Sequence, residues 1–277
     1  MKKIILLAIA TISTLGIYAQ DKKKDTLKIK WGLSKIWIFN DKDIAKIDSA
    51  KKNTEKKKNK NFTHWGGFDF GVSMLTTIDN KPKLSDEKDT THMNYFLDLN
   101  RVKSRFFSLN LLEMNIQVYK NYVNVVTGLG VEWNNYSFNK NITLNADAPF
   151  ISASNTLVKD SIKYSKNKLV TTYLKIPLLV ELNTNSKNPK KSFHISGGIE
   201  IAYKLGSKTK QEYEINGYRI QSKRRDDYHL ADFKYCSVLR VGYGGFTVFA
   251  NYGLSQLFQK NNGPQIFPLT AGVSVKL

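Results

Sequence analysis

From Val125 to Trp133 every second residue is apolar or β-branched: Val125, Thr127, Leu129, Val131 and Trp133. The residues that alternate with them are Val126, Gly128, Gly130, Glu132 and Asn134. A period of two predicts an extended strand with one greasy face and one face of small or polar groups. In a soluble sandwich the apolar face would point into a core. In an outer-membrane barrel the sense inverts, with the apolar face in lipid and the polar face in the lumen.

The same period recurs and predicts eight strands: 65–75, 106–119, 123–138, 169–182, 192–205, 233–243, 246–258 and 266–277. On one face stand Phe68, Phe70, Val72 and Met74 of the first, Leu112, Met114, Ile116 and Val118 of the second, and Leu174, Ile176, Leu178 and Val180 of the fourth. The gaps between strands alternate. Long ones at 76–105, 139–168 and 206–232 are separated by "KNY", "NTNSKNPKK" and the two-residue "GG", a tight hairpin signal. Long loops at one end and short turns at the other mark a membrane barrel, since a sandwich has no reason to sort loop length by end. Aromatic residues gather at strand ends as two belts. Tyr119, Tyr122, Phe193, Tyr243 and Phe246 fall at the short turns; Trp133, Tyr136, Tyr203, Phe233, Tyr235 and Phe258 fall at the long loops. The stretch 208–229 alternates as well and predicts a hairpin above the membrane turning at Asn216-Gly217. Pro177 predicts a local break in a ladder, because it lacks an N–H.

The first residues change the compartment. Lys2 and Lys3 precede a short apolar run, Ile4 to Ile12, with Ala19 as a cleavage position; this predicts a secretory leader at 1–19. No later run is long enough for a spanning helix. The segment 20–62 predicts a periplasmic extension: an apolar hairpin within Thr26 to Asn40, then a linker containing "KKNTEKKKNK". The barrel domain is expected at 63–277. A lone cysteine, Cys236, excludes an internal disulfide. The net charge of +20 points to an anionic partner. For an exported chain this favours outer-membrane lipid and lipopolysaccharide, and not nucleic acid.

The stretches "GLGVEWNNYSF", "YLKIPLLVEL", "HWGGFDFGV" and the ending "FPLTAGVSVKL" resemble the PorT-like outer-membrane β-barrel family of Bacteroidota, and the early "TLKIKWGLSKIWIFND" is similar to members of that group. The resemblance implies an all-β, eight-stranded antiparallel transmembrane β-barrel with a short N-terminal periplasmic extension, located in the cell outer membrane. Barrel proteins often end in an aromatic residue read by the outer-membrane assembly machinery; here the last residue is Leu277.

An eight-stranded barrel has an interior that side chains fill. The inward set holds five acids, Asp69, Glu113, Glu132, Glu181 and Glu200, and five bases, Lys175, Lys204, Lys234, Arg240 and Lys276. That balance, in a strongly basic chain, predicts a structural network of paired charges with no open conduit; Glu132 and Glu200 are the expected partners of Arg240. A lipid-modifying enzyme is the competing class. His194, Ser196 and Glu200 share a face and have the spacing of base, nucleophile and orienting acid, but they lie near the periplasmic turn, away from the outer-leaflet acyl chains. His64, His92 and His229 show no metal-ligand spacing. No cofactor is expected. The expected role is that of a structural, binding or secretion-accessory component, with protein partners at the long loops or the N-terminal extension. A narrow pore is the remaining alternative.

Overall fold

The computed structural model describes residues 27–31, 34–38, 64–77, 97–120, 122–155, 164–185, 188, 191–215 and 217–276. The expected leader, Leu277 and most of the extension and its linker lie outside them. The chain divides into two units, Met1–Lys60 and Asn61–Leu277. In the first, β1 (Leu27–Trp31) pairs antiparallel with β2 (Ser34–Ile38), Trp31 opposite Ser34. This is the hairpin that the alternation within 26–40 predicts.

The second unit is built of strands, with no α-helix among the described residues. Its elements are β3 (Gly67–Thr77), β4 (Arg105–Tyr119), β5 (Val123–Ser137), β6 (Ile142–Asn145), β7 (Ser152–Asn155), β8 (Tyr164–Asn183), β9 (Phe193–Ile215), β10 (Tyr218–Arg225), β11 (Phe233–Tyr243), β12 (Phe246–Gly253) and β13 (Ile266–Val275). Eight of them close a ring in the order β3, β4, β5, β8, β9, β11, β12, β13, and β13 returns to β3. Every pairing is antiparallel and joins consecutive ring strands. This is an up-and-down barrel with no free edge, the only sheet that satisfies its backbone in lipid.

The closing seam is tight. Gly71 of β3 lies opposite Gly272 of β13. A Cβ on Gly272 would come within 2.0 Å of the Phe70 carbonyl oxygen, and one on Gly71 within 2.3 Å of that of Ala271. At the β11–β12 turn Tyr243 pairs with Phe246, and Gly244 takes the positive φ of 60° that such a two-residue turn requires.

Pleat direction sorts the faces. Phe70, Val72, Leu178, Val180, Ile195, Ile199, Leu239, Val241 and Val248 are exposed on the outside, whereas Asp69, Ser73, Glu132, Lys175, Glu200, Lys234, Arg240 and Thr247 are buried inside. In β4 a register shift between Asn110 and Leu112 changes which parity points inward. Phe106, Ser108 and Asn110 are buried before it, and Glu113 reaches the lumen after it. The break expected at Pro177 is found on one side only. Pro177 pairs with Glu200 of β9, while the β5–β8 ladder skips from Thr127–Leu178 to Gly130–Lys175. The N–H that proline lacks belonged to the β5 side.

Two expectations need correction. Tyr136 and Phe258 do not join the outer aromatic belt: each is 1% exposed, and Phe258 lies beyond β12, bridged to Leu230. Both belong to an apolar cluster with Leu97, Leu99, Phe138, Ile142, Ile151, Leu169, Tyr228, Leu230 and Ile266 at the long-loop end. The long gaps also hold more regular structure than they suggest. β6 and β7 pair as a hairpin, β8 and β9 run past the barrel still paired with each other, and β10 pairs with β9 there. At 23 residues, β9 is about twice the length a tilted membrane strand needs, so its second half stands outside. Ile215 faces Tyr218, and Asn216 of the predicted turn lies outside the described residues.

Leu178 is 54% exposed on the outer face near mid-strand. Leu178→Arg is expected to weaken the folded barrel by about 2–4 kcal/mol, the penalty for a cation facing hydrocarbon at mid-depth. Tyr218→Arg, on the exposed hairpin, should change stability by less than about 0.5 kcal/mol. Urea unfolding in lipid vesicles measures both.

Candidate functional site

Buried side chains stand at each level of the lumen. At mid-height Asp69 of β3 accepts from Lys175 Nζ at 3.3 Å, Arg240 Nη2 at 3.2 Å and Asn110 Nδ2 at 3.0 Å. Lys175, 0% exposed, also lies 3.3 Å from Glu200. Aromatic faces complete the cations' surroundings. The Lys175 ammonium sits over Trp65 and Phe106, and the Arg240 guanidinium over Phe249.

One step toward the long-loop end, Lys234 pairs with Glu132, lies over the Tyr173 ring, and Asn134 Nδ2 donates to the same carboxylate at 2.9 Å. Above this step the apolar cluster spans the mouth. The β6–β7 hairpin is tied down there by Asn167 Nδ2 and Gln211 Nε2, which donate to the Ile142 carbonyl at 2.7 and 3.0 Å.

The short-turn end is filled by the chain that enters β3. His64 and Trp65 are buried. The His64 amide donates to Glu181 Oε2 at 3.2 Å, its Nδ1 lies 3.0 Å from Glu181 Oε1, and its ring stacks on His194 at 3.6 Å. Gly66 N donates to Glu113 Oε2 at 2.9 Å, and Lys276 Nζ lies 3.4 Å from the same carboxylate. Gly128 makes room for Trp65, since a Cβ there would come within 2.6 Å of its ring.

The ten charged residues singled out in the sequence therefore do not form one set. Asp69, Lys175, Glu200 and Arg240 meet, Glu132 meets Lys234, and Glu113 meets Lys276. Glu181 takes a histidine as its partner. Lys204 leaves the lumen for the loop carboxylates Asp227 and Asp232. Arg240 engages Asp69, and neither Glu132 nor Glu200 is its ion-pair partner. Alternation gives a side chain's direction, but ring pairings set its height.

The His194–Ser196–Glu200 constellation does not assemble. His194 Nε2 lies 2.8 Å from Thr247 Oγ1, and Glu200 is held by Lys175. No group of three or more His, Cys, Asp or Glu side chains suited to a metal occurs among the described residues.

A second set of charges lies beyond the lumen. Beyond the barrel, β8, β9 and β10 form a three-stranded fin. Near its tip Glu212 accepts from Lys166 Nζ at 2.6 Å, Arg219 Nη2 at 2.5 Å and Gln221 Nε2 at 2.7 Å. Those bonds, Lys166 first, hold its carboxyl down to about 2. The arrangement could not be read from the sequence, because cross-strand register places Lys166 and Gln221 on opposite sides of Glu212.

The profile described as "Outer membrane protein beta-barrel domain" matches residues 66–259. No curated protein sequence matches the chain. Two crystal structures of Ail, the attachment invasion locus protein of Yersinia pestis, are similar. The one in complex with the heparin analogue sucrose octasulfate is 10% identical, covering 76% of this chain and 94% of that one with a TM-score of 0.30. The other is 12% identical, covering 76% and 98% with a TM-score of 0.27.

Lys175→Met leaves Asp69 and Glu200 short of a cation in a desolvated site. It is expected to destabilise the barrel by about 3–5 kcal/mol, as for one partner lost from a buried pair. Urea titration of the reconstituted protein checks this, with Lys223→Met on the fin as the near-neutral control.

Proposed function

The chain belongs to the outer membrane protein β-barrel domain family, and on that premise we propose that it is a non-enzymatic, non-conducting barrel acting through what it presents on either side of the bilayer. The outer hairpins, and the N-terminal extension on the periplasmic side, serve as binding or assembly surfaces. An even strand number puts both barrel ends on one side, and the short turns assign that side to the periplasm. Export through the leader at 1–19, insertion by the outer-membrane assembly machinery and contact with lipopolysaccharide are parts of the same reading. So is kinship with the PorT-like barrels of Bacteroidota, which rests on the stretches quoted above.

One observation carries the proposal: the interior is filled from end to end. Ion pairs occupy the middle, His64 and Trp65 the periplasmic end, and the apolar cluster the outer mouth. A pore needs a hydrated path, and a lumenal enzyme needs a space in which substrate meets its nucleophile. The outer hairpins, by contrast, are extended well beyond what spanning requires.

Planar-bilayer recording tests the proposal. The purified protein should show no stable open channel. Arg240→Ala, which removes a cation from Asp69, should give brief, irregular openings. A steady conductance from the unaltered protein would overturn the proposal in favour of a narrow pore.

A further inference from the structure

The fin has a face whose charges repel one another. Lys168 of β8 stands directly opposite Lys210 of β9, which stands directly opposite Lys223 of β10. Two residues along, on the same face, Lys208 stands opposite Arg225. Like charges directly opposed across strands are destabilising. None of these five cations forms an ion pair among the described residues; Glu212, the carboxylate nearest in the register, is engaged by Lys166 and Arg219. The ammonium groups of Lys168 and Lys210 are each pushed below the ordinary lysine range, by desolvation first and then by neighbouring lysines.

The rows adjoin a cavity. A cleft of about 420 Å³ at the tops of β4, β5 and β8 is lined by Lys103, Arg105, Lys140, Lys166 and Lys168, with Phe138 and asparagine, serine and tyrosine side chains, and no carboxylate among the described residues. Lys166 pairs with Glu212, and Asp98 accepts a hydrogen bond from Asn139 Nδ2 at 2.9 Å. Amides and hydroxyls among cations are the donors that a phosphorylated sugar requires. The volume lies within the usual range for small-ligand sites, about 300–1,000 Å³.

Position selects the source of the ligand. Lys168 has the pleat parity of Leu174, Ile176 and Leu178, so the lysine rows continue the lipid-facing surface upward. They begin a few residues above Trp133, Tyr203 and Phe233, where the outer aromatic belt meets the headgroups.

We infer that the basic face of the fin and the adjoining cleft form a seat for the phosphorylated saccharide headgroup of an outer-leaflet glycolipid. Its phosphates lie between the opposed lysines and its sugar occupies the cleft. The seat rests on the reading that the long-loop end faces outside, but it does not depend on whether the lumen conducts. Neutralising the rows removes repulsion, so loss of binding should come without loss of fold.

The test uses the full barrel in neutral detergent, titrated with deacylated lipopolysaccharide saccharide, the same saccharide after dephosphorylation, and dextran sulfate. The phosphorylated saccharide should bind, and more weakly as salt rises. Lys168→Gln/Lys210→Gln/Lys223→Gln and, separately, Lys103→Gln/Arg105→Gln should each weaken binding at least tenfold, with thermal stability unchanged or raised. The dephosphorylated saccharide should bind at least tenfold more weakly. Equal binding of both saccharides, or unchanged binding by both variants, would overturn the inference. Binding of dextran sulfate without the phosphorylated saccharide would overturn it too, and would make the face a site for soluble polyanions. A conducting barrel that still bound the saccharide would refute the closed lumen and leave the seat standing.

Discussion

A charge inside a narrow barrel needs a counter-charge, and that requirement organises the centre of this molecule. Eight strands leave room for side chains and little else. Asp69, Lys175, Glu200 and Arg240 satisfy one another at mid-height, with aromatic faces over the cations. Around that set the remaining features fall into place. Lys234 and Glu132 extend it upward, and Glu113 and Glu181 anchor the entering chain below. Pro177, opposite Glu200, sits in the same layer with its ladder break on the β5 side. Replacing one ion alone therefore leaves a neighbour buried and unpaired, which is why such networks are sensitive to single substitutions and tolerant of wholesale replacement.

The outside follows a different rule. In hydrocarbon the backbone must be fully paired, and closure through the Gly71–Gly272 seam achieves this. Above the bilayer water is available, and the strands are free to continue as an open fin with exposed edges and opposed lysines. The same two strands, β8 and β9, thus carry an apolar outer face at membrane depth and a basic one beyond it. Their length makes this possible: the outer surface is built on the membrane scaffold itself, and not on irregular loops.

Strand number, strand direction and the sense of the faces in the third to sixth and the eighth strands were legible in the sequence, because the pleat has a period of two and lipid favours apolar residues on one face. The β11 span, Phe233–Tyr243, agrees at both ends. Pairing height was not legible. Arg240 meets Asp69 across the ring, a separation of 171 residues in the chain, and no local pattern encodes that. Burial at the outer mouth was also hidden. Tyr136 and Phe258 look like belt aromatics by position, yet the β6–β7 hairpin and the loops fold over them. Lys204 follows the inward alternation and still turns to Asp227 and Asp232, because loop carboxylates come within its reach only in the folded chain. His64 was invisible as a lumenal residue, since nothing in "THWGG" says that the segment turns into the barrel.

The central claim is that one face of each strand meets lipid while the other meets a dry, filled interior. Nitroxide labels placed one at a time from Thr247 to Asn251 in β12, a strand without charged residues, test this most directly in lipid vesicles. Labels at Val248 and Ala250 should be quenched by oxygen and shielded from an aqueous nickel complex. Labels at Thr247, Phe249 and Asn251 should be shielded from both, as their burial requires. Strong nickel quenching at the odd-numbered positions would reveal a water-filled lumen and contradict the account.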